Sequence, residues 1–161
     1  MFRLSKITDY GIVLLAQLAK TPEGMSRNAR DLAQQAELPV PVVSKVLKLL
    51  AREHLLSSQR GVRGGYSLAQ PAERISVTAV INALEGPVAI TECARGPSFC
   101  SHEGTCAVRD PIHVLNDIVR KALATVSLAD ITDPQFGSLN PLSAPLQILD
   151  RDDPTDRAET E

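Results

Sequence analysis

Residues 28–50 read NARDLAQQAELPVPVVSKVLKLL and contain two short helical patterns joined by residues 37–39. Asn28 can cap the first helix, and Pro41 suits the first turn of the second, because the first amides of a helix lack internal partners. Each helix repeats apolar side chains at i, i+3, i+4 and i+7, which indicates one buried stripe. The stripes are Ala29, Leu32, Ala33 and Ala36, then Val43, Val46, Leu47 and Leu50. The pattern predicts a helix-turn-helix.

Residues 55–68, LLSSQRGVRGGYSL, come directly after this pair of helices. Residues 55–58 and 66–68 have strand character, and the stretch rich in glycine and arginine between them predicts a flexible, cationic tip. An amphipathic helix over residues 7–18 precedes the pair and supports it. The sequence therefore predicts a mainly α protein in which residues 1–70 form a winged helix-turn-helix DNA-binding domain.

Candidate DNA contacts lie on the exposed side of the second helix, which also carries Arg52, and on the tip. Phosphate attraction requires Lys or Arg, while base reading favours short side chains near the start of the inserted helix. The groove-facing candidates are Val40, Val42, Ser44, Lys45 and Lys48, and the tip candidates are Arg60 and Arg63. We expect the two arginines to reach phosphates or the adjacent minor groove of double-stranded DNA.

The net charge of −2 is unevenly distributed along the 161 residues. Residues 1–70 carry ten Lys or Arg against five Asp or Glu, whereas residues 71–161 carry seven against fourteen. Such a length allows about one domain with appendages. We find no stretch of roughly 18 apolar residues and no secretion signal, so we expect a cytoplasmic protein without a membrane partner. No arrangement of nucleophile and base is recognisable, which argues against an enzyme.

Beyond residue 70 the sequence divides into four segments. Residues 71–87 predict a connecting helix that Ser76 caps, and residues 88–109 predict an aperiodic loop that holds all three cysteines. Residues 110–132 predict a long helix with a 3,4,3,4 apolar seam, and residues 133–161 predict a disordered acidic tail. The seam comprises Ile112, Leu115, Val119, Ala122 and Val126. DNA recognition by two helix-turn-helix units requires a dimer, so we expect this helix to form a homodimer interface.

Cys93, Cys100 and Cys106 indicate metal or redox chemistry, because disulfides are disfavoured in a reducing compartment. The gaps of six and five residues between them are wider than the cysteine pairs of structural zinc sites. An iron-sulfur cluster tolerates longer gaps and is the favoured interpretation. Zinc with His102 as fourth ligand, and redox thiols without a cofactor, remain open.

Several stretches resemble a known protein family. The matching segments are LSKITDY at residues 4–10, VSKVLKLL at 43–50, LLSSQRGVRGGY at 55–66, and the three cysteines before the long helix. Over residues 1 to about 130 the chain resembles the IscR/NsrR-type bacterial iron-sulfur regulators, and most closely their branch that regulates SUF-system cluster assembly. The resemblance implies a homodimeric winged-helix repressor with a [2Fe-2S] cluster, or a [4Fe-4S] cluster, that responds to cluster status, redox state or nitric oxide.

The same resemblance implies a fourth cluster ligand. IscR-like members use a histidine three residues after the third cysteine, where this chain has Arg109. NsrR-like members use an aspartate early in the first helix of the other subunit, and Asp9 occupies the similar position. We therefore expect Asp9 of the partner subunit to complete the site. The competing ligands are Glu92, His102 and Asp110.

Two functions from other classes remain as alternatives to a cluster-responsive regulator. An iron-sulfur or redox carrier would explain the cysteines, and a repressor without a cofactor would explain the helix-turn-helix. A carrier would not need the cationic helix face. A repressor without a cofactor would not need three cysteines in one loop.

Overall fold

The computed structural model of the chain describes residues 3–22, 24–61, 64–97, 99–102 and 104–136. This part of the chain contains seven helices, one antiparallel hairpin and a short 3-10 turn at Ala72–Arg74. In chain order the elements are α1 (Lys6–Ala19), α2 (Ala29–Ala36), α3 (Val40–Arg52), β1 (Leu56–Gln59), β2 (Gly65–Leu68), α4 (Val77–Glu85), α5 (Glu92–Arg95), α6 (Arg109–Ala124) and α7 (Leu128–Thr132). The predicted mainly α class with a winged helix-turn-helix is confirmed.

Helices α2 and α3 form the predicted helix-turn-helix, and local contacts fix the turn between them. The Asn28 side chain caps α2 by accepting a hydrogen bond of 2.9 Å from the Asp31 amide. Glu37 ends α2 in the left-handed region, with a φ of 54°. The Leu38 amide then donates to the Ala33 carbonyl. The chain thus reverses within three residues and packs α3 directly against α2.

The hydrophobic core is centred on α1. Three leucines of α1 are buried, and apolar side chains from every part of the winged-helix domain and from α7 surround them. The core consists of Leu14, Leu15, Leu18, Leu32, Ala33, Val43, Val46, Leu47, Leu50, Leu55, Leu56, Ile75, Val80 and Leu128. Because Leu128 is fully buried there, the chain returns to the winged-helix domain after α6.

Gly11 allows α4 to approach α1 closely. The glycine is buried, and a Cβ atom at this position would collide with the Leu84 side chain of α4. A glycine inside a helix costs about 1 kcal/mol relative to alanine. Here the close packing of the two helices explains its presence.

Strands β1 and β2 form the wing, and a third segment extends it. The pairing runs from Leu56 opposite Leu68 to Gln59 opposite Gly65. Arg27 forms a further bridge with Tyr66 through two backbone hydrogen bonds of 2.8 and 2.9 Å. A Cβ atom at Gly65 would lie 2.6 Å from the Arg27 carbonyl oxygen, so only glycine fits there. The base of the wing is therefore attached to the segment before α2.

A carboxylate of α4 joins the start of α1 to the end of α4. The Glu85 carboxylate accepts a hydrogen bond of 2.7 Å from the Ser5 amide and a second one from the hydroxyl of Thr8, which is fully buried. Partial burial alone would raise the pKa of Glu85, but the hydrogen bonds from Thr8 and Ser5 outweigh this effect and lower the pKa.

The structure differs from the sequence prediction at both ends of α6. Residues 88–109 were expected to be aperiodic, yet they contain the four-residue helix α5, and α6 already begins at Arg109. Residues 110–132 were expected to form one helix, but α6 ends at Ala124 and α7 begins at Leu128. The break occurs because Ser127 and Asp130 form a capping box that starts a new helix.

The hydrogen bonds of this capping box are short. The Asp130 carboxylate accepts one hydrogen bond of 2.8 Å from the Ser127 amide and another of 2.7 Å from the Ser127 hydroxyl. Both hydrogen bonds lower the pKa of Asp130. The Leu128 amide donates to the Ile75 carbonyl at 2.7 Å. The break is thereby attached to the segment before α4.

The end of the chain is described only in part. From residue 137 onward, the predicted acidic tail lies outside the described residues, so its disorder stays a prediction. The division of the chain into the segments 1–70, 71–87, 88–109, 110–132 and 133–161 likewise stays a prediction. Among the helices of the described ranges, none has the length and apolar character needed to cross a membrane.

Replacing Glu85 by glutamine should reduce the acid sensitivity of the fold. Because its pKa is lowered in the folded chain, ionised Glu85 adds stability above its ordinary pKa of about 4.5. That contribution is lost as the pH falls through the lowered value of the folded state. Between about pH 7 and about pH 3, the Tm of Glu85→Gln should therefore fall less than that of the wild type.

Glu73→Gln serves as the control, since it removes an exposed carboxylate from the 3-10 turn. Its Tm should follow that of the wild type across the same pH range. Equal losses of Tm in Glu85→Gln and in the wild type would contradict the role given to the Glu85 hydrogen bonds.

Candidate nucleic-acid interface and cysteine segment

Three of the predicted DNA contacts come together on the exposed side of α3. Ser44, Lys45 and Lys48 line one shallow groove together with Arg52. The three basic side chains are exposed, and Ser44 is half-buried. The apolar stripe of α3 faces the core on the other side of the helix. We call Lys45, Lys48 and Arg52 the basic face.

The charges of the basic face differ in how they are paired. Arg52 forms an ion pair of 3.1 Å with Glu53, in which both side chains are largely exposed. Pairs of this kind contribute about 0 to 1 kcal/mol and are easily broken. Lys45 and Lys48 take part in no ion pair within the described part of the chain. Both lysines are thus available to a phosphate backbone.

The two predicted valines lie apart from this groove. Val40, at the start of α3, is 41% exposed and borders a second shallow surface with Asn28 and Arg30 of α2. Val42 is half-buried. Arg30 was not predicted as a DNA contact. Its basic side chain in the first turn of α2 was visible in the sequence, but only the tertiary structure brings it next to Val40.

The wing carries one described arginine near its tip. Arg60 follows β1 directly and is exposed. The other tip candidate, Arg63, lies outside the described residues. The Arg27 guanidinium donates a hydrogen bond of 3.0 Å to the Gln35 side chain of α2, so the wing is attached to the helix-turn-helix by side chain as well as by backbone.

All three cysteines are free thiols in the cysteine segment, as we call residues 88–109. Cys93 lies in α5, whereas Cys100 and Cys106 lie in irregular stretches, and each of the three is half-buried. The Thr91 hydroxyl lies 3.2 Å from Cys93 Sγ and shares a hydrogen bond with it. Helix α5 packs against α6. The thiols are therefore neither fully solvated nor tied in disulfides.

Two asparagine side chains anchor the beginning of the cysteine segment. The Asn82 side chain of α4 accepts a hydrogen bond of 3.2 Å from the amide of Val88, which is buried. The Asn116 side chain of α6 accepts one of 3.0 Å from the Ile90 amide. Asn116 is itself buried, and periodicity gave no reason to single it out.

The expected ligands do not converge in the single chain. Among the described residues, no three His, Cys, Asp or Glu side chains lie close enough together to hold one metal ion. Asp9 is exposed in the first turn of α1, far along the chain from the cysteines. Of the competing ligands, Glu92 forms an exposed ion pair with Arg95, and Asp110 and His102 are exposed.

The three cysteines nevertheless suit an iron-sulfur cluster, because thiolates are the usual ligands of such clusters. His113 is a further candidate that sequence reasoning missed. Its Nε2 atom is buried and has no hydrogen-bond partner within the part of the chain that the structure describes. His113 lies one helical turn beyond Arg109. Arg109 occupies the position at which the resemblance to IscR-like proteins implies a histidine ligand.

Helix α6 presents two apolar sides rather than one. Of the predicted seam, Leu115 is 47% exposed and Ala122 is exposed, while Ile112 and Val119 are half-buried on α6, which packs against α4 and α5. Val126 is also half-buried, but it lies after the end of α6, in the break before α7, so the prediction that it lies on the same helix is wrong. Further large apolar side chains, which the sequence did not predict as part of the seam, are exposed beside Leu115 and Ala122. We call this exposed set the apolar strip. The strip is Val108, Val114, Leu115, Ile118 and Ala122.

Comparison with known proteins identifies relatives over most of the chain. A helix-turn-helix transcriptional regulator of Mycobacterium tuberculosis is 31% identical over 129 residues, which cover 80% of each protein. The structure of CymR, the global cysteine regulator of B. subtilis, matches with a TM-score of 0.65 and 25% identity over 82% of this chain and 97% of that one. The structure of T. potens IscR matches in fold, with a TM-score of 0.61 and 22% identity over 81% and 85% of the two chains.

A family model described as "Rrf2: Iron-dependent Transcriptional regulator" matches residues 4–134. The match includes α1, the helix-turn-helix, the wing, the cysteine segment and both terminal helices. It confirms the resemblance drawn from the sequence at the level of the family, and with it a DNA-binding regulator rather than an enzyme. The chain belongs to the Rrf2 family of iron-dependent transcriptional regulators.

Proposed function

We propose that the chain is a homodimeric repressor whose affinity for DNA responds to an iron-sulfur cluster held by Cys93, Cys100 and Cys106. The observation that carries this proposal is the position of three free, half-buried cysteines in the segment between the winged-helix domain and α6. Binding or loss of the cluster at these thiols changes the cysteine segment, which lies between the domain that contains α3 and the apolar strip of α6. The resemblance of the sequence to the SUF branch supports genes of cluster assembly, or related stress genes, as targets.

DNA recognition in this proposal depends on α3 and the wing. Helix α3 enters the major groove, where Val40, Val42 and Ser44 lie near base edges and Lys45 and Lys48 contact phosphates. Support comes from the exposure of both lysines and from their lack of ion-pair partners among the described residues. Arg60 and Arg63 extend the contact on the tip of the wing, toward phosphates or the adjacent minor groove.

The proposed cofactor is a [2Fe-2S] cluster, with [4Fe-4S] as the alternative type. When bound, it supplies a link among the three thiolates that is sensitive to redox state and nitric oxide. The cysteines hold it, and Asp9 of the partner subunit completes the ligand set. The exposure of Asp9 on α1 leaves it accessible to a second chain. His113, whose buried ring nitrogen has no hydrogen-bond partner among the described residues, competes for this position.

The proposed partner on the apolar strip is a second copy of the chain. Leu115, Ile118 and Ala122 repeat at three and four residues along α6, which is the spacing of a helix that pairs with another helix. Two half-sites one turn of DNA apart require reading helices about 34 Å apart. The pairing of the two α6 helices then sets the distance between the two α3 helices, and a change in the cysteine segment alters this distance.

A second candidate is a redox regulator that uses the thiols without a cofactor. The Thr91 hydroxyl beside Cys93 Sγ favours it, because hydrogen bonding to a thiol influences its reactivity. The similar structures include an oxidised form of Staphylococcus aureus CymR. Iron and sulfide counts after anaerobic purification separate the two candidates, since thiols without a cofactor bind neither element.

Replacing Lys45 and Lys48 together by alanine should weaken DNA binding at least about tenfold. Each lost phosphate contact should also reduce the slope of log affinity against log salt by about 0.9, so the double variant should lose roughly 2 units of slope. The measurement uses a duplex that the wild-type chain selects from a random-sequence pool, titrated at several salt concentrations.

The matched control is the double variant Lys20→Ala with Lys121→Ala, which removes the same charge from the C-cap of α1 and from α6, outside the basic face. Its affinity should stay close to that of the wild type. An equal loss in both double variants would contradict a specific role of the basic face. Failure of the wild type to select any duplex would favour the carrier.

Substituting any one of Cys93, Cys100 or Cys106 with alanine should remove iron and sulfide from anaerobically purified protein, because three thiolates hold the cluster jointly. The measurement is the iron and sulfide content per chain, together with the visible absorbance spectrum. Ser101→Ala, an exposed change in the same segment, should retain the wild-type content. Full cluster content in all three cysteine variants would contradict the ligand assignment.

Ile118→Glu should convert the dimer into a monomer, because it buries a charge in the proposed contact between two α6 helices. The measurement is the mass in solution by light scattering, with 17.3 kDa for one chain. Met25→Glu is the control, since Met25 is 60% exposed and lies outside the proposed contacts between subunits, whereas Ile118 is 48% exposed. A wild-type chain that is monomeric at all concentrations would refute the dimer.

A further inference from the structure

Asn116 is one of two buried polar side chains among the residues that the structure describes. The other is Thr8, whose hydroxyl donates to Glu85. A buried polar group destabilises a fold unless it is hydrogen-bonded. In both cases the hydrogen bond joins segments that are distant in the sequence. Asn116 is 4% exposed and lies in the middle of α6.

The hydrogen bond of Asn116 reaches the cysteine segment close to its first thiol. The Asn116 Oδ1 atom accepts from the Ile90 amide at 3.0 Å, across 26 residues of sequence. The next residue, Thr91, shares its hydroxyl with Cys93 Sγ at 3.2 Å. The Thr91 carbonyl accepts from the Ala94 amide at 3.1 Å, which forms the first turn of α5. Two hydrogen bonds, joined through the peptide bond between Ile90 and Thr91, thus connect α6 with Cys93, and the third holds the turn of α5 in which Cys93 lies.

The position of Asn116 on α6 separates this contact from the apolar strip. Asn116 is buried toward its own subunit, whereas Leu115 and Ile118 on the strip are about half exposed. One side of the helix therefore holds the backbone beside Cys93, and another side is free for a second copy of the chain. A rotation or shift of α6 relative to the backbone at Ile90 would change this contact.

We propose that Asn116 is a positioning residue that couples the state of Cys93 to the orientation of α6. Its geometry is independent of any cofactor, whereas its consequence for DNA binding rests on the proposed function. Asn82 anchors the same segment to α4 through Val88 and provides a comparison. Loss of the Asn116 bond breaks the hydrogen-bonded path from α6 to Cys93, while loss of the Asn82 bond leaves this path intact.

The first test measures the alkylation of each cysteine by iodoacetamide in the apo protein, by mass spectrometry. Asn116→Leu keeps the branched shape of the side chain but removes the acceptor. Alkylation of Cys93 should be about fivefold faster or more in Asn116→Leu, because local opening exposes the thiol. The rate for Cys93 should stay within about twofold of the wild type in Asn82→Leu.

Cys106 is the internal control, and its rate should change by less than about twofold in every variant. Faster alkylation of all three cysteines, or an equal effect of Asn82→Leu, would show general loosening and overturn the proposal. If Asn116→Leu does not fold, Asn116→Ala replaces it, since the smaller side chain leaves space for a water molecule. Unchanged alkylation of Cys93 in the folded variant that lacks the acceptor would also overturn the proposal.

The second test measures affinity for the selected duplex with the cluster present and after its removal. Asn116→Leu should bind iron and sulfide like the wild type, yet its DNA affinity should no longer differ between the two forms. A cofactor-dependent difference equal to that of the wild type would overturn the coupling role. Absence of iron from the wild type would refute the proposed function instead, and the alkylation test would still decide the role of Asn116.

Discussion

The packing of α1 is the constraint on which the rest of the structure depends. Its three buried leucines contact the helix-turn-helix, the hairpin and α7 in one continuous core. Removing one buried leucine side chain typically costs about 2 to 5 kcal/mol, a large share of the stability of a small domain. With few aromatic residues in the chain, such aliphatic contacts supply most of the core. The exposed side of α3, which we propose to contact DNA, keeps its position only while this core holds the opposite side of the helix.

The same helix determines where the cysteine segment begins. Gly11 brings α4 against α1, and Glu85 joins the end of α4 to the first residues of α1. From there Asn82 and Asn116 hold the backbone on either side of residue 89. The thiols are consequently connected to the DNA-binding domain through α4 and to the apolar strip through α6. A regulator needs such a connection between two sites, since coupling requires an element that both sites influence.

Much of the fold could be predicted from the sequence, because one apolar stripe per helix defines α2 and α3 and glycine-rich turns define the wing. The break before α7 was missed although Ser127 and Asp130 have the spacing of a capping box. The face of α6 was predicted only in part, because this helix has two apolar sides and periodicity cannot say which one faces its own domain. Contacts such as Asn116 with Ile90 depend on tertiary structure alone.

The central claim is that the occupancy of the three cysteines changes how strongly the chain binds DNA. The most direct measurement is the affinity of one anaerobic preparation for the selected duplex before chelation, after chelation and after reconstitution with iron and sulfide. Our account predicts a change of about fivefold or more that reconstitution reverses. An affinity that stays constant through all three steps, in protein that demonstrably gains and loses iron, would contradict it.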